Sequence, residues 1–121
     1  MKKTIIIVDD KVTIAKIIAA YLSNEYNFEY FNNPIPCLER LAAGPNPDLI
    51  ISDILMPIMR GDIFLDRLKG NEQLKDIPVI MLSSEDSSSE RIRLLQNGAE
   101  DYIVKPFNPL ELKIRIKKIL E

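Results

Sequence analysis

Several polar residues that directly follow apolar runs carry the groups needed to transfer a phosphoryl group. Asp9 and Asp10 follow the first run, Asp53 the third, Ser83 the fourth and Lys105 the fifth. Catalysis of phosphoryl transfer depends mainly on positioning and on neutralising the charge that spreads over the equatorial oxygens. Carboxylates around a divalent cation, a hydroxyl donor and a fixed ammonium group would supply these functions.

The acidic residues of this set predict a site for a divalent cation. If the runs are adjacent parallel strands, about 5 Å apart, then Asp9, Asp10 and Asp53 lie close together. Two carboxylates about 4 Å apart repel by roughly 4 kcal/mol at an effective dielectric of about 20, so the cluster needs a cation. Mg²⁺ prefers oxygen ligands and leaves room for phosphate oxygens. The chain has no histidine, which argues against zinc or iron bound by imidazole.

Asp53 is the candidate nucleophile, because a carboxylate can attack phosphorus and form an acyl phosphate. It stands alone at the end of its apolar run, whereas the adjacent Asp9 and Asp10 are suited to anchor the cation.

Apolar runs alternate with amphipathic stretches along the chain, which predicts βαβ units and a parallel sheet covered on both faces. The predicted strands are Thr4–Val8, Phe28–Phe31, Leu49–Ser52, Val79–Leu82 and Tyr102–Val104. The second run is more polar than the others and therefore predicts an edge strand. Ligands of such sheets bind at the carboxyl ends of the strands, where the polar residues above fall.

Helical patterns occupy the intervals between the predicted strands. The apolar stripe of the first helix comprises Ile14, Ile17, Ile18, Tyr21 and Leu22, and that of the third comprises Ile63, Phe64, Leu65 and Leu68. Asn33 and Pro34 open the second helix, and Ser87 to Glu90 form a capping box before the fourth. Asn108 and Pro109 predict the start of the last helix.

Length and composition favour one cytoplasmic domain over residues 1–121. The net charge of −2 and the lack of long basic runs argue against direct nucleic-acid binding. No apolar segment approaches the roughly 20 residues of a membrane span. The single cysteine, Cys37, is interpreted as a small buried hydrophobe in a reducing compartment.

Over nearly its whole length the sequence resembles the CheY-like receiver domains of two-component response regulators. The matching segments are Val8–Asp10, Pro47–Pro57, Ile77–Ser83 and Gly98–Phe107. The resemblance implies a (βα)5 fold of the flavodoxin type, with a doubly wound five-stranded parallel sheet of strand order 2-1-3-4-5. It also implies that residues 1–121 form one receiver domain.

The resemblance implies that Asp53 is the phospho-acceptor in a reaction that requires Mg²⁺. The cation would be held by Asp9, Asp10, Asp53 and the backbone carbonyl of Leu55, with Asp10 as a direct ligand. Arg60 departs from the family, in which an aspartate is usual at this position, and this affects the rim of the site rather than its chemistry.

The family also implies roles for residues on the fourth and fifth strands. Ser83 would shift toward a phosphoryl oxygen, Lys105 would ion-pair with another, and Tyr102 would turn inward when Ser83 moves. The peptide between Lys105 and Pro106 resembles the cis bond of the family. Threonine is commoner at the position of Ser83, but the hydroxyl is retained.

A possible dimer face is formed by Arg91, Asp101, Glu111 and Arg115. They match positions that pair across a dimer in the winged-helix transcription factors of the family, through the fourth helix, fifth strand and fifth helix. Exposed ion pairs contribute only about 0–1 kcal/mol each, so they would select orientation more than affinity. Scattered surface charges would give the same pattern.

The implied partners are a sensor histidine kinase or histidine phosphotransfer protein as donor, and an output domain or target protein as receiver of the signal. A homodimer formed on phosphorylation is a further possible partner. The chain would promote only its own phosphorylation and dephosphorylation rather than act as an enzyme. It could be a stand-alone receiver or the N-terminal domain of a winged-helix transcription factor.

Three other classes of protein fit these residues less well. A haloacid-dehalogenase-type enzyme expects a second aspartate two residues after the nucleophile, where this chain has Leu55. A nucleotide- or flavin-binding module expects a phosphate-binding loop after the first strand, where Asp9 and Asp10 would repel phosphate. A phosphorylation-independent interaction domain would not need the acceptor residues.

Overall fold

A parallel five-stranded sheet forms the centre of the computed structural model, which describes residues 1–121. The strands are β1 (Lys3–Val8), β2 (Tyr26–Phe31), β3 (Leu49–Asp53), β4 (Val79–Ser83) and β5 (Asp101–Val104). Their order, β2-β1-β3-β4-β5, confirms the predicted doubly wound topology and places β2 at an edge, as predicted. The order reverses between β1 and β3, so a binding crevice is expected beyond the carboxyl ends of these two strands.

Five helices cover the two faces of the sheet. They are α1 (Val12–Leu22), α2 (Pro34–Ala43), α3 (Gly61–Lys69), α4 (Ser88–Gln96) and α5 (Pro109–Leu120). Because successive strand residues point to opposite faces, Ile5 and Ile7 pack with α1 and α5, whereas Ile6 and Val8 pack with α2, α3 and α4. None of these helices has both the length and the apolarity that crossing a bilayer would require.

The predicted apolar stripe of α1 is only partly the face that packs on the sheet. Ala15, Ile18 and Leu22 are buried, whereas Ile17 and Tyr21 are largely exposed. Spacings of three and four residues return to the same face of a helix, but neighbouring residues are about 100° apart. The helix was therefore predicted correctly, and its buried face is narrower than the apolar pattern indicates.

Helix termini follow the predicted capping residues. The Ser87 hydroxyl accepts a hydrogen bond from the Glu90 N–H at 3.4 Å, and the Asn108 side chain accepts one from the Leu110 N–H at 2.9 Å. Cys37 lies in the core under α2, and burial raises the pKa of its thiol to about 12, which agrees with its interpretation as a hydrophobe.

Ile58, in the loop between β3 and α3, has a strained backbone. Its φ is 75°, a region that β-branched residues rarely adopt, and its side chain is 77 % exposed, so it contributes little packing. Ile58→Gly should therefore raise the free energy of unfolding by about 1 kcal/mol, measured by urea denaturation. Ile58→Ala keeps the Cβ atom and should give a much smaller gain. A glycine variant less stable than the wild type would contradict this explanation.

Candidate functional site

The carboxylates predicted to cluster do meet at the carboxyl ends of β1 and β3. The pairing of Val8 with Ser52 places the following residues, Asp9 and Asp53, side by side. Oxygens of Asp9, Asp10 and Asp53 all lie within 4.8 Å of one another. Asp9 and Asp53 are buried, whereas Asp10 is exposed, so the cluster opens to solvent on one side.

Lys105 extends from the end of β5 into this cluster. Its Nζ lies 3.0 Å from Asp9 Oδ2 and 3.1 Å from Asp53 Oδ1. Desolvation works against the charged ammonium, but its hydrogen bond to Asp9 and the charges of Asp9 and Asp53 outweigh this and raise the pKa of Lys105. The peptide between Lys105 and Pro106 is cis, as the resemblance implied.

The charge balance and donor atoms of the cluster fit a hard divalent cation. Three carboxylates face one ammonium, which leaves two negative charges without a partner. Burial raises the pKa of Asp9, against the opposing effects of the Lys11 N–H at 2.9 Å and of Lys105. Oxygen ligands with excess negative charge are those that Mg²⁺ prefers.

The main chain around Asp53 is fixed by short-range hydrogen bonds and by a glycine. Asp53 Oδ1 accepts a bond from the Ile54 N–H at 2.9 Å, and the Ser52 hydroxyl donates to the Asp53 carbonyl at 2.8 Å. The Gly61 N–H donates to the Ile54 carbonyl at 2.8 Å, so the start of α3 packs directly against the end of β3. Leu55 follows in the loop, with its side chain exposed at the rim.

Gly61 is a residue whose role the sequence analysis did not identify. A Cβ atom there would lie 2.0 Å from the Asp53 carbonyl oxygen, which no real structure tolerates. The sequence did contain one signal for this role, a glycine shortly after Asp53 and Pro57. Glycine is the residue that allows two backbone segments to approach each other closely.

Ser83 and Tyr102 meet at the backbone of Glu85. Ser83 is buried at the end of β4, and its hydroxyl accepts a hydrogen bond from the Glu85 N–H at 3.0 Å. The hydroxyl of Tyr102, also buried, donates to the Glu85 carbonyl at 2.8 Å. The Arg91 guanidinium lies 5.7 Å from the centre of the Tyr102 ring. The Tyr102 ring faces inward in this structure. The rotation that the resemblance implies when Ser83 moves stays a prediction.

The residues of the predicted dimer face form ion pairs within the chain. Arg115 pairs with Asp101 at 2.8 Å and with Glu111 at 3.1 Å, and Arg91 pairs with Asp86 at 3.0 Å. The four residues of the predicted face, Arg91, Asp101, Glu111 and Arg115, line one groove between α4, β5 and α5. The structure brings the four predicted residues to one surface, and the homodimer itself stays a prediction.

Arg60, which departs from the family pattern, lies just before α3. Its Nε is 3.1 Å from Asp62 Oδ1, and the Arg60 side chain is about half exposed, whereas that of Asp62 is largely shielded from solvent. The substitution therefore adds a surface ion pair at the start of the helix and does not neutralise the site.

The reversal of strand order beside an acidic crevice defines a doubly wound α/β protein of the flavodoxin-like class. A family model for the response regulator receiver domain matches residues 5–117. The chain belongs to this family of two-component signalling domains. This assignment decides against the dehalogenase-type and nucleotide-binding alternatives.

Relatives in which the domain forms part of a larger protein support the assignment. The phosphate regulon transcriptional regulatory protein PhoB of Escherichia coli is 34 % identical over 124 residues, which cover 99 % of this chain and 52 % of PhoB. Hybrid signal transduction histidine kinase D of Dictyostelium discoideum is 34 % identical over 119 residues, covering 98 % of this chain and 8 % of that kinase. The chain therefore spans about half the length of PhoB and a small part of the kinase.

Solved structures of other receiver proteins share this fold. The chemotaxis response regulator CheY4 of Vibrio cholerae is 30 % identical with a TM-score of 0.89, and the match covers 99 % of this chain and 100 % of CheY4. The receiver domain of the Francisella response regulator 1452 is also 30 % identical, with a TM-score of 0.88 and coverage of 98 % and 97 %.

Proposed function

We propose that the chain is a phosphorylation-controlled switch in which Asp53 accepts a phosphoryl group from a phosphohistidine. The donor is a sensor histidine kinase or a histidine phosphotransfer protein. One observation carries this proposal: the buried Asp53 carboxylate lies at the end of β3, within 4.8 Å of two further carboxylates and 3.1 Å from an ammonium group. This combination matches the requirements of phosphoryl transfer to a carboxylate.

In the proposed reaction an Asp53 carboxylate oxygen attacks the phosphorus atom of the phosphohistidine. The new P–O bond forms an acyl phosphate, and the P–N bond breaks with its electron pair returning to the imidazole nitrogen. Lys105 neutralises charge on the phosphoryl oxygens from its position beside Asp53. The Ser83 hydroxyl, at the end of β4, donates a hydrogen bond to another of these oxygens.

Asp9, Asp10 and Asp53, with the backbone carbonyl of Leu55, would hold the Mg²⁺ ion. When bound, Mg²⁺ supplies neutralisation of the charge on the phosphoryl oxygens. The set of oxygen donors and the two uncompensated negative charges of the cluster support this assignment.

The signal leaves the site through Glu85, whose backbone is bound by both Ser83 and Tyr102. When Ser83 turns toward the phosphoryl group, its bond to the Glu85 N–H is lost and the start of α4 is released. This changes the surface of α4 and β5 that an output domain or target protein binds.

A reducing cytoplasm, where Cys37 stays a thiol, is the proposed compartment.

Incubation with a small phosphodonor and Mg²⁺, followed by intact mass measurement, tests the proposal. We expect the wild type to gain the mass of one phosphoryl group, Asp53→Asn to gain none, and chelation of Mg²⁺ to suppress the gain. Asp66→Asn, which changes an exposed carboxylate of α3, should label as the wild type does. An unlabelled wild type would instead favour a phosphorylation-independent interaction domain, and equal labelling of Asp53→Asn would exclude Asp53 as the acceptor.

A further inference from the structure

The edge strand β2 binds both backbone polar groups of Asp9. The Asp9 N–H donates to the Phe31 carbonyl at 3.1 Å, and the Tyr30 hydroxyl donates to the Asp9 carbonyl at 2.6 Å. The Tyr30 ring is partly buried against the core between the sheet and helices α1 and α5, so its hydroxyl is held in place.

The Asp9 carbonyl belongs to the peptide that joins Asp9 to Asp10. The orientation of this peptide group therefore determines the direction in which the Asp10 side chain leaves the backbone. The Asp9 carboxylate is already fixed by the Lys11 N–H and by Lys105. Asp10 is exposed and forms no ion pair or side-chain hydrogen bond in the chain, so the peptide before it is its principal constraint.

We propose that Tyr30 is a positioning residue for the divalent-cation site. Its hydroxyl holds the peptide between Asp9 and Asp10 so that the Asp10 carboxylate faces Asp9 and Asp53. The inference deepens the proposed function, because the cation site is the one proposed for phosphoryl transfer. Removing a group that orients a metal ligand typically weakens metal binding 10- to 100-fold. The loss of one neutral hydrogen bond should fall at the lower end of this range.

The test is a calorimetric titration of Mg²⁺ into Tyr30→Phe, a change that keeps the ring and removes the hydroxyl. We expect the dissociation constant to rise about tenfold. Labelling by a small phosphodonor should need correspondingly more Mg²⁺ and should reach the wild-type rate at saturation, because Tyr30 does not touch the reacting atoms.

The matched control is Tyr26→Phe, at the other end of the same strand. The Tyr26 hydroxyl binds Glu121, and Tyr26 pairs with Lys3 at the start of β1, far from the acidic cluster. This control removes a tyrosine hydroxyl from β2 and should leave the Mg²⁺ dissociation constant unchanged.

The outcomes separate this inference from the proposed function. An unchanged dissociation constant in Tyr30→Phe, or an equal rise in Tyr30→Phe and Tyr26→Phe, would overturn the positioning role. A wild type that binds Mg²⁺ but is not labelled on Asp53 would overturn only the proposed function, and the calorimetric comparison would still decide the role of Tyr30. A wild type that does not bind Mg²⁺ would overturn both.

Discussion

Gly61→Ala is expected to lower the free energy of unfolding by about 3 kcal/mol and to slow the labelling of Asp53 at the same time. The added Cβ atom would lie 2.0 Å from the Asp53 carbonyl oxygen and 2.9 Å from the Ile54 Cα atom. Both obstacles are backbone atoms, so no side chain can turn away to make room. The start of α3 must then move away from β3, which weakens the bond from the Gly61 N–H to the Ile54 carbonyl.

Urea denaturation and the labelling rate at saturating Mg²⁺ measure the two effects. Gly70→Ala, at the other end of α3, is the matched control, because its Cβ atom would lie 3.2 Å from the Asp66 carbonyl oxygen and needs only a small adjustment. We expect the control to change stability by less than about 1 kcal/mol. If Gly61→Ala were as stable and as readily labelled as Gly70→Ala, the close approach of α3 to Asp53 would not be essential.

Lys105→Met should make the fold strongly dependent on a divalent cation. Methionine keeps the aliphatic part of the side chain but removes the ammonium that pairs with Asp9 and Asp53. Removing one partner of a largely buried ion pair leaves the other charges uncompensated, so without Mg²⁺ we expect a loss of about 2 kcal/mol in the free energy of unfolding. Labelling of Asp53 should also fall sharply, because the Lys105 ammonium group that would neutralise the phosphoryl oxygens is lost.

Denaturation curves with and without millimolar Mg²⁺ test this prediction. An ion that binds only the folded state stabilises it, and this gain should be larger in Lys105→Met than in the wild type. Lys113→Met removes an ion pair with Glu25 at the surface, at 2.9 Å, and should cost less than about 1 kcal/mol with no change in the response to Mg²⁺. Equal behaviour of the two lysine variants would mean that the site does not need the Lys105 charge.

The sequence alone was sufficient to predict the elements and the acidic cluster. Strands and helices follow from local periodicity, and the buried runs of β1, β3 and β4 contrast clearly with the polar edge strand β2. Because the carboxyl ends of parallel strands meet at one edge, the sequence alone assigns Asp9, Asp53 and Lys105 to one site, where the structure places them.

Only the tertiary structure decided the contacts made between distant segments. The bond from Tyr30 to Asp9, the approach of Gly61 to Asp53 and the inward position of Tyr102 have no local signature. The exposure of Ile17 likewise depends on how α1 lies on the sheet. Periodicity determines which face of an element is apolar, but the register between elements, and hence which atoms come within hydrogen-bonding distance, is set by side-chain packing across the whole core.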